Sequence, residues 1–335
     1  MRTVRLVDVA ERAGVSIKTV SNVVHDHPYV RPELRAKVQA AIDELGYRPN
    51  MTARRLATGQ TGTISIALPA IDVPYFGEIC QAFDRSLRTH KLRTVIDQTL
   101  ADRDAEQAVL DQRDHGLVDG VIFHPVALTP EDLADRQAGF PLVLIGEGPS
   151  PAGIDHVMID NIAAATEVAA SLLAGGRRRI AFLGHNRRKL SHTTGQRLEG
   201  YKRAIHQAGL KLDRRLYLRV DNYAPESGRQ AVHEAVERGI SFDAIMCRDD
   251  LLALGAMHGL AELGRKVPDD VAVIGWDDLQ IAAHLTPTLT SVAPDKTEIA
   301  NLATRLLLER INGYHGPGRH EIVPYRLISR DSSGV

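Results

Sequence analysis

The sequence predicts a two-part α/β protein: a small all-α head followed by a two-lobed body built on parallel sheets. Three observations carry that expectation. Near the start, VDVAERAGVSIKTVSNVV places two short apolar-patterned segments on either side of Gly14, Val15 and Ser16. From Thr63 onward, short β-rich runs alternate with helical stretches. The chain's 335 residues, 44% of them apolar and 25% charged, suffice for about two domains with sizeable cores.

In the head, Val9, Ala10 and Ala13 give a first helix one small apolar face. Gly14 supplies the backbone freedom to end it, Val15 can plug the corner, and Ser16 suits the N-cap of the next helix. There Val20, Val23 and Val24 share one face, while Ile17, Lys18, Ser21 and Asn22 occupy the other. A third helix is expected over 32–45, opened by Pro32, with Leu34, Val38, Ala41, Ile42 and Leu45 inward. Helix, glycine-containing turn, helix is the arrangement whose second helix enters a DNA major groove. A plain three-helix subdomain would share the pattern, but would leave Ile17 exposed to no purpose. In a groove, Ile17 could meet a thymine methyl, Lys18 a guanine edge or a phosphate, and Asn22 an adenine. Ser16 and Ser21 could take phosphate oxygens.

Charge supports this reading. Residues 1–60 carry ten Lys/Arg against six Asp/Glu, although the whole chain is at −1. A basic head on an acidic body suggests that the head alone meets a polyanion. The following GYRPNMTARRLATGQTG reads as a linker, with Asn50 capping a short helix to about Ala57 that is too short to be stable alone.

These stretches, VDVAERAGVSIKTVSNVV and LGYRPNMTARRLA, together with GWDDL far downstream, resemble the lac/gal repressor family of bacterial transcription regulators over essentially the whole chain. The resemblance implies a linker helix that folds on operator DNA, pairs with its dimer mate and wedges Leu56 into the minor groove beside Ala53. It places Leu6, His25, Arg31 and Asn50 with the DNA-facing residues. Two departures matter. Asn22 stands where many members have Arg, favouring adenine there, and Arg31 stands where Ser or Thr often caps the third helix.

Ten strands are expected in the body: 64–69, 93–97, 120–125, 142–146, 156–160, 179–184, 216–220, 244–247, 271–276 and 289–292. Helical stretches such as GEICQAFDRSLRTH and NIAAATEVAASLLAGG lie between them. The resemblance implies a periplasmic-binding-protein-like body, 62–335, after a head at 1–49 and a hinge at 50–61. Its N-lobe would hold about 62–160 and 291–323, its C-lobe about 161–290 and 324–335. A small-molecule effector would sit between the lobes, and homodimerisation would run through them. With no leucine heptads before Val335, a dimer is expected over a tail-linked tetramer.

Matched residue by residue, the effector set is Tyr75 and Phe76 after the first strand, Arg197 opening a helix, Tyr223, Asp249 and Asp277. Carboxylates accept from hydroxyls, Arg197 donates in a planar fork, and the aromatics offer flat faces. A sugar-like ligand would use all three kinds, whereas a nucleobase or phosphorylated metabolite would have less use for two carboxylates. Asp249 and Asp277 could equally cap helices. Trp276 is expected to pack at a lobe or dimer contact, Glu147 to sit in a solvated loop, and GGRRR (175–179) and HNRRK (185–189) to be solvated loops.

Catalytic signatures are missing: there is no GxSxG, HExxH, P-loop or CxxC. Cys80 and Cys247 fit neither a disulfide framework nor a metal site, and HDH at 25–27 reads as a turn rather than a metal pair. No enzyme activity, cofactor or metal is expected. Without an apolar leader or an apolar run of membrane-spanning length, the expected location is the cytoplasm.

Overall fold

The computed structural model describes residues 4–24, 27–47, 60–111, 116–134, 140–148, 150–186 and 191–334. They fall into two compact units, 1–61 and 62–335.

The first unit holds α1 (Leu6–Ala13), α2 (Ile17–Val24) and α3 (Pro32–Leu45). Gly14 adopts φ 62°, a left-handed conformation that costs a glycine little. The Val15 amide then reaches back to the Ala10 carbonyl at 3.1 Å, and the Val15 side chain packs against the head's core. Ser16 Oγ accepts from the Thr19 amide at 3.1 Å. Val9, Ala10, Ala13, Val20, Val23, Val38 and Ala41 close the core, together with Tyr47. The Tyr47 contribution was not legible in the sequence. It depends on Gly46 at φ 62°, which folds the chain back so that the Tyr47 amide meets the Ile42 carbonyl at 3.0 Å.

The second unit carries two six-stranded sheets. The strands are β1 (Thr63–Leu68), β2 (Arg93–Gln98), β3 (Gly120–Phe123), β4 (Leu142–Ile145), β5 (Asp155–Met158), β6 (Ile180–Asn186), β7 (Tyr217–Val220), β8 (Ala244–Cys247), β9 (Ala272–Trp276), β10 (Thr290–Pro294), β11 (His320–Ile322) and β12 (Tyr325–Ile328). The first sheet runs β2-β1-β3-β4-β5-β11, with every neighbour parallel. The second runs β7-β6-β8-β9-β10-β12 and is parallel except at β12. The central strands are buried on both faces, hence their near-continuous apolar runs.

Helices α4 (Pro74–Thr89), α5 (Arg103–Asp111), α6 (Pro130–Ala134), α7 (Asn161–Ala174), α8 (His192–Gln207), α9 (Pro225–Glu237), α10 (Asp250–Glu262) and α11 (Lys296–Ile311) lie between the strands. One core of buried residues runs through both sheets by way of α7, α8 and α11. The chain passes between the sheets three times: after β5, after β10 and after β11. The second passage, expected near 290, comes after Pro294. Residues 291–294, expected in the N-lobe, pair with β12, and 291–292 also with β9, so they belong to the second sheet. No helix among the described residues is long and apolar enough to cross a membrane.

Candidate functional site

In both sheets the strand order reverses, at β1/β3 and at β6/β8. Ligands of such sheets bind outside the carboxyl ends of the strands at these reversals. The two sets of strand ends enclose a cavity of about 140 Å³. Tyr75, Phe76, Arg197, Tyr223, Asp249 and Asp277 all line it.

Pro74 opens α4, setting Tyr75 and Phe76 in its first turn, with their rings edge to face at 5.4 Å. The Phe76 ring meets His124, the residue directly after β3, at 5.2 Å. Gly146 follows β4 at φ 87°, and a Cβ there would stand 2.4 Å from His124 Nε2. Glu147 corrects the expectation of a solvated loop. It lines the cavity, and its Oε2 accepts from Thr193 Oγ1 at 2.8 Å. Burial pushes the Glu147 carboxyl up, but Arg197, His124 and hydrogen bonds from Thr193 and Asn161 together hold it below its ordinary value.

Arg197 sits in the second turn of α8 rather than at its start. Its Nε donates to Asn161 Oδ1 at 2.8 Å, and Nη1 donates to the Arg248 carbonyl. Its guanidinium lies 3.9 Å over the fully buried Trp276 ring, with Asp277 at 4.0 Å. Arg248, directly after β8, covers the Tyr223 ring at 3.7 Å, donates to Thr194 Oγ1 at 3.1 Å and pairs with Asp249.

The capping alternative divides the two aspartates. Asp249 does cap α10, accepting from the Leu252 amide at 2.9 Å while still lining the cavity. Asp277 caps no helix. It follows β9 at φ 99°, unusual for a non-glycine residue and the kind of strain that gathers at functional sites. Burial pushes its carboxyl well above its ordinary value, against the pull of Arg197 and helped by Asp249 and Asp250. The Tyr75 hydroxyl is pushed up as well, by burial and then by Glu147 and Asp277.

Sequence reasoning missed His124, Thr193 and Arg248. Two of these stand directly after strands, so a rule flagging the first residue beyond each parallel strand would have found them. Trp276 packs beneath Arg197 rather than at the cavity wall.

On α2, Ile17 is 51% exposed and Lys18 is exposed, while Ser21 and Asn22 are partly so, opposite buried Val20 and Val23. Arg31 stands exposed ahead of α3 and makes no side-chain cap bond. Leu6 packs partly buried against the head's core. His25, Asn50, Ala53 and Leu56 lie outside the described residues.

A profile of bacterial regulatory proteins, lacI family, matches residues 5–50, and one of a periplasmic binding protein-like domain matches 169–333. Catabolite control protein A of Priestia megaterium is 32% identical over 98% of this chain and 99% of its own. The chain belongs to the lacI family.

Among solved structures of lacI-family relatives, the lac repressor dimer bound to operator and the anti-inducer ONPF superposes with TM-score 0.87 at 25% identity, over 99% of each chain. A CelR–cellobiose complex superposes with TM-score 0.72 at 29% identity, over 98% of this chain and all of the other. Like its lacI-family relatives, the chain is a DNA-binding transcriptional regulator governed by a small-molecule effector.

Proposed function

We propose that the protein is a dimeric cytoplasmic repressor of a sugar-utilisation operon, and that a sugar or sugar derivative in the cavity between the sheets sets its affinity for operator DNA. The carrying observation is the state of the cavity's cations. Arg197 and Arg248 are already matched by Asp277, Glu147 and Asp249, which leaves no spare positive charge for a phosphate. Arg248 also covers Tyr223, so one of the flat faces a nucleobase would use is taken. What remains are carboxylate acceptors, the Tyr75 hydroxyl, the rings of Tyr75 and Phe76 and aliphatic walls, which suit a neutral polyol with hydroxyls at its rim and an apolar ring face. The cellobiose complex of a relative supports the same direction.

Ile71, Val95, Ile96 and Leu100, exposed along the β2 edge of the first sheet, suit a homodimer contact, as does the dimeric lac repressor relative. In the head, Ile17, Lys18 and Asn22 would read bases, while Ser16, Ser21, His25 and Arg31 would touch phosphates, with Leu6 packed at the interface's edge. Asn50, Ala53 and Leu56 would form the hinge helix and its wedge.

A thermal-shift screen of sugars, nucleobases and phosphorylated metabolites, repeated with Arg197→Ala and Asp277→Ala, tests the proposal. A sugar at about 100 times its Kd should stabilise the wild type by about 2.7 kcal/mol and leave both variants unmoved. The same sugar should alter retention of operator DNA in a gel shift by the wild type alone. Stabilisation by nucleobases or phosphorylated metabolites with none by sugars would overturn the sugar assignment.

A further inference from the structure

A second cavity, of about 670 Å³, opens between α8 and the β6–β7 edge of the second sheet. Lys202, Arg214, Arg219 and His185 line it, and among the described residues no carboxylate does. Leu198, Leu212 and Tyr217 supply its apolar part.

Its construction is legible strand by strand. Tyr217 and Arg219 share one face of β7, opposite buried Leu216, Leu218 and Val220. In β6, Phe182 pairs with Tyr217 and Leu183 with Leu218. Strict alternation would send His185 to the side of Leu183, away from the cavity. A bulge at Gly184 shifts the register so that His185 pairs with Arg219 instead and shares the Tyr217 face. Gly184 has φ 129°, and a Cβ there would stand 2.4 Å from Cβ of Arg248. The bulge therefore needs glycine, and it aims His185 into the cavity while clearing room for Arg248. The His185 ring stacks parallel to Tyr217, with centroids 6.2 Å apart, and its buried Nδ1 has no partner.

Asp213 and Glu199, on the flanking segments, already have partners. Asp213 pairs with Arg215 at 2.8 Å, and Glu199 with Arg203 at 3.3 Å and, more distantly, Lys202 at 3.9 Å. Arg214 and Arg219 have no carboxylate partner among the described residues. Three positive charges, balanced only in part by Glu199 beside Lys202, call for an anion bearing more than a single charge. A phosphate monoester carries about −1.5 to −2. The volume falls in the range of roughly 300–1,000 Å³ that small-molecule sites occupy.

We propose that this cavity binds a phosphorylated small molecule, with its phosphate held by Arg214, Arg219 and Lys202 and its ring resting on Tyr217, Leu198 and Leu212. The site is separate from the effector cavity, whose cations are already neutralised.

Calorimetric titration of the full-length protein with glucose 6-phosphate, AMP, inorganic phosphate and glucose tests this, alongside Arg214→Gln/Arg219→Gln and Arg214→Lys/Arg219→Lys. At least one phosphorylated organic probe should bind more tightly than inorganic phosphate and glucose. The glutamine pair should weaken it about ten-fold or more, and the lysine pair should recover part of that loss. Preference for AMP would assign the ring contact to a nucleobase, and preference for glucose 6-phosphate to a sugar. Undiminished binding by the glutamine pair would place the anion elsewhere, at the basic head included, and overturn the proposal. Equal binding of inorganic phosphate and both organic probes would do the same, as would no saturable binding up to about 10 mM.

Discussion

Asp155 and Asp250 are both buried, and they answer to pH in opposite senses. Asp155 opens β5 and is held from two sides: Arg310 Nε at 2.8 Å, and Arg319 through its amide at 2.8 Å and its guanidinium at 2.9 Å. Burial alone would raise its carboxyl, but the two arginines bring it down to about 2. Its contribution is present above the ordinary value of 3.8 and fades as pH falls toward about 2. Asp155→Asn leaves two guanidiniums facing a neutral group and should cost about 3–5 kcal/mol in urea unfolding at pH 7. A loss under about 1 kcal/mol would mean the pair braces nothing.

Asp250 accepts from Ser291 Oγ at 2.7 Å and the Leu279 amide at 2.8 Å, yet burial lifts it to about 7. The folded state then holds a proton that the unfolded chain has released, so stability declines as pH climbs from 3.8 through about 7. Thermal melts at pH 5 and pH 8 should show a smaller decline for Asp250→Asn than for wild type. Equal declines would assign the pH dependence to other groups.

At the scale of elements, the recognition helix α2 depends on both of its faces. Val20 and Val23 anchor it to α1 and α3, which leaves Ile17, Lys18 and Asn22 outward. Lys18→Ala and Asn22→Ala should each relax preference at one operator position by about 1–3 kcal/mol, read by competition gel shift against single-base operator variants. Unaltered preference in both would remove α2 from base reading. Elements also mark the limit of sequence reasoning. The ten strands expected from the sequence stand out, most of them as apolar runs, whereas β11 (HEI) and β12 (YRLI) do not. Both are edge strands with much of their surface exposed, so their sequences carry no apolar run. Their existence depends on partners more than 150 and about 30 residues away, respectively.

Across the whole body, Glu78 and Lys296, paired on two helices of the first lobe, hydrogen-bond across to the second lobe beside the effector cavity. Glu78 of α4 accepts from Lys296 Nζ at 2.6 Å and from the Gln280 amide at 3.0 Å. Lys296 also donates to the Asp278 carbonyl at 3.1 Å, one residue beyond Asp277 in the cavity wall. Hydrogen bonds that involve a charged group contribute about 1.5–3 kcal/mol each, here to the closed arrangement. Glu78→Gln should open the lobes more often and weaken effector binding about five-fold, measured by calorimetry, with a larger radius of gyration in solution scattering. Unchanged affinity and radius would mean that closure does not depend on these bonds.

Short-range pattern determined the helix-turn-helix head and the alternation of strands and helices, and the family resemblance implied the six residues that meet in one cavity. The head and the alternation leave local traces: a period, a glycine at a corner, or an apolar run. Tertiary structure decided that Glu147 turns inward, that Arg197 and Arg248 arrive already neutralised, and that the bulge at Gly184 carries His185 onto the Tyr217 face. Periodicity records which side of an element is covered. Charge balance and strand register depend on groups far apart in the chain, and only the packed fold brings those together.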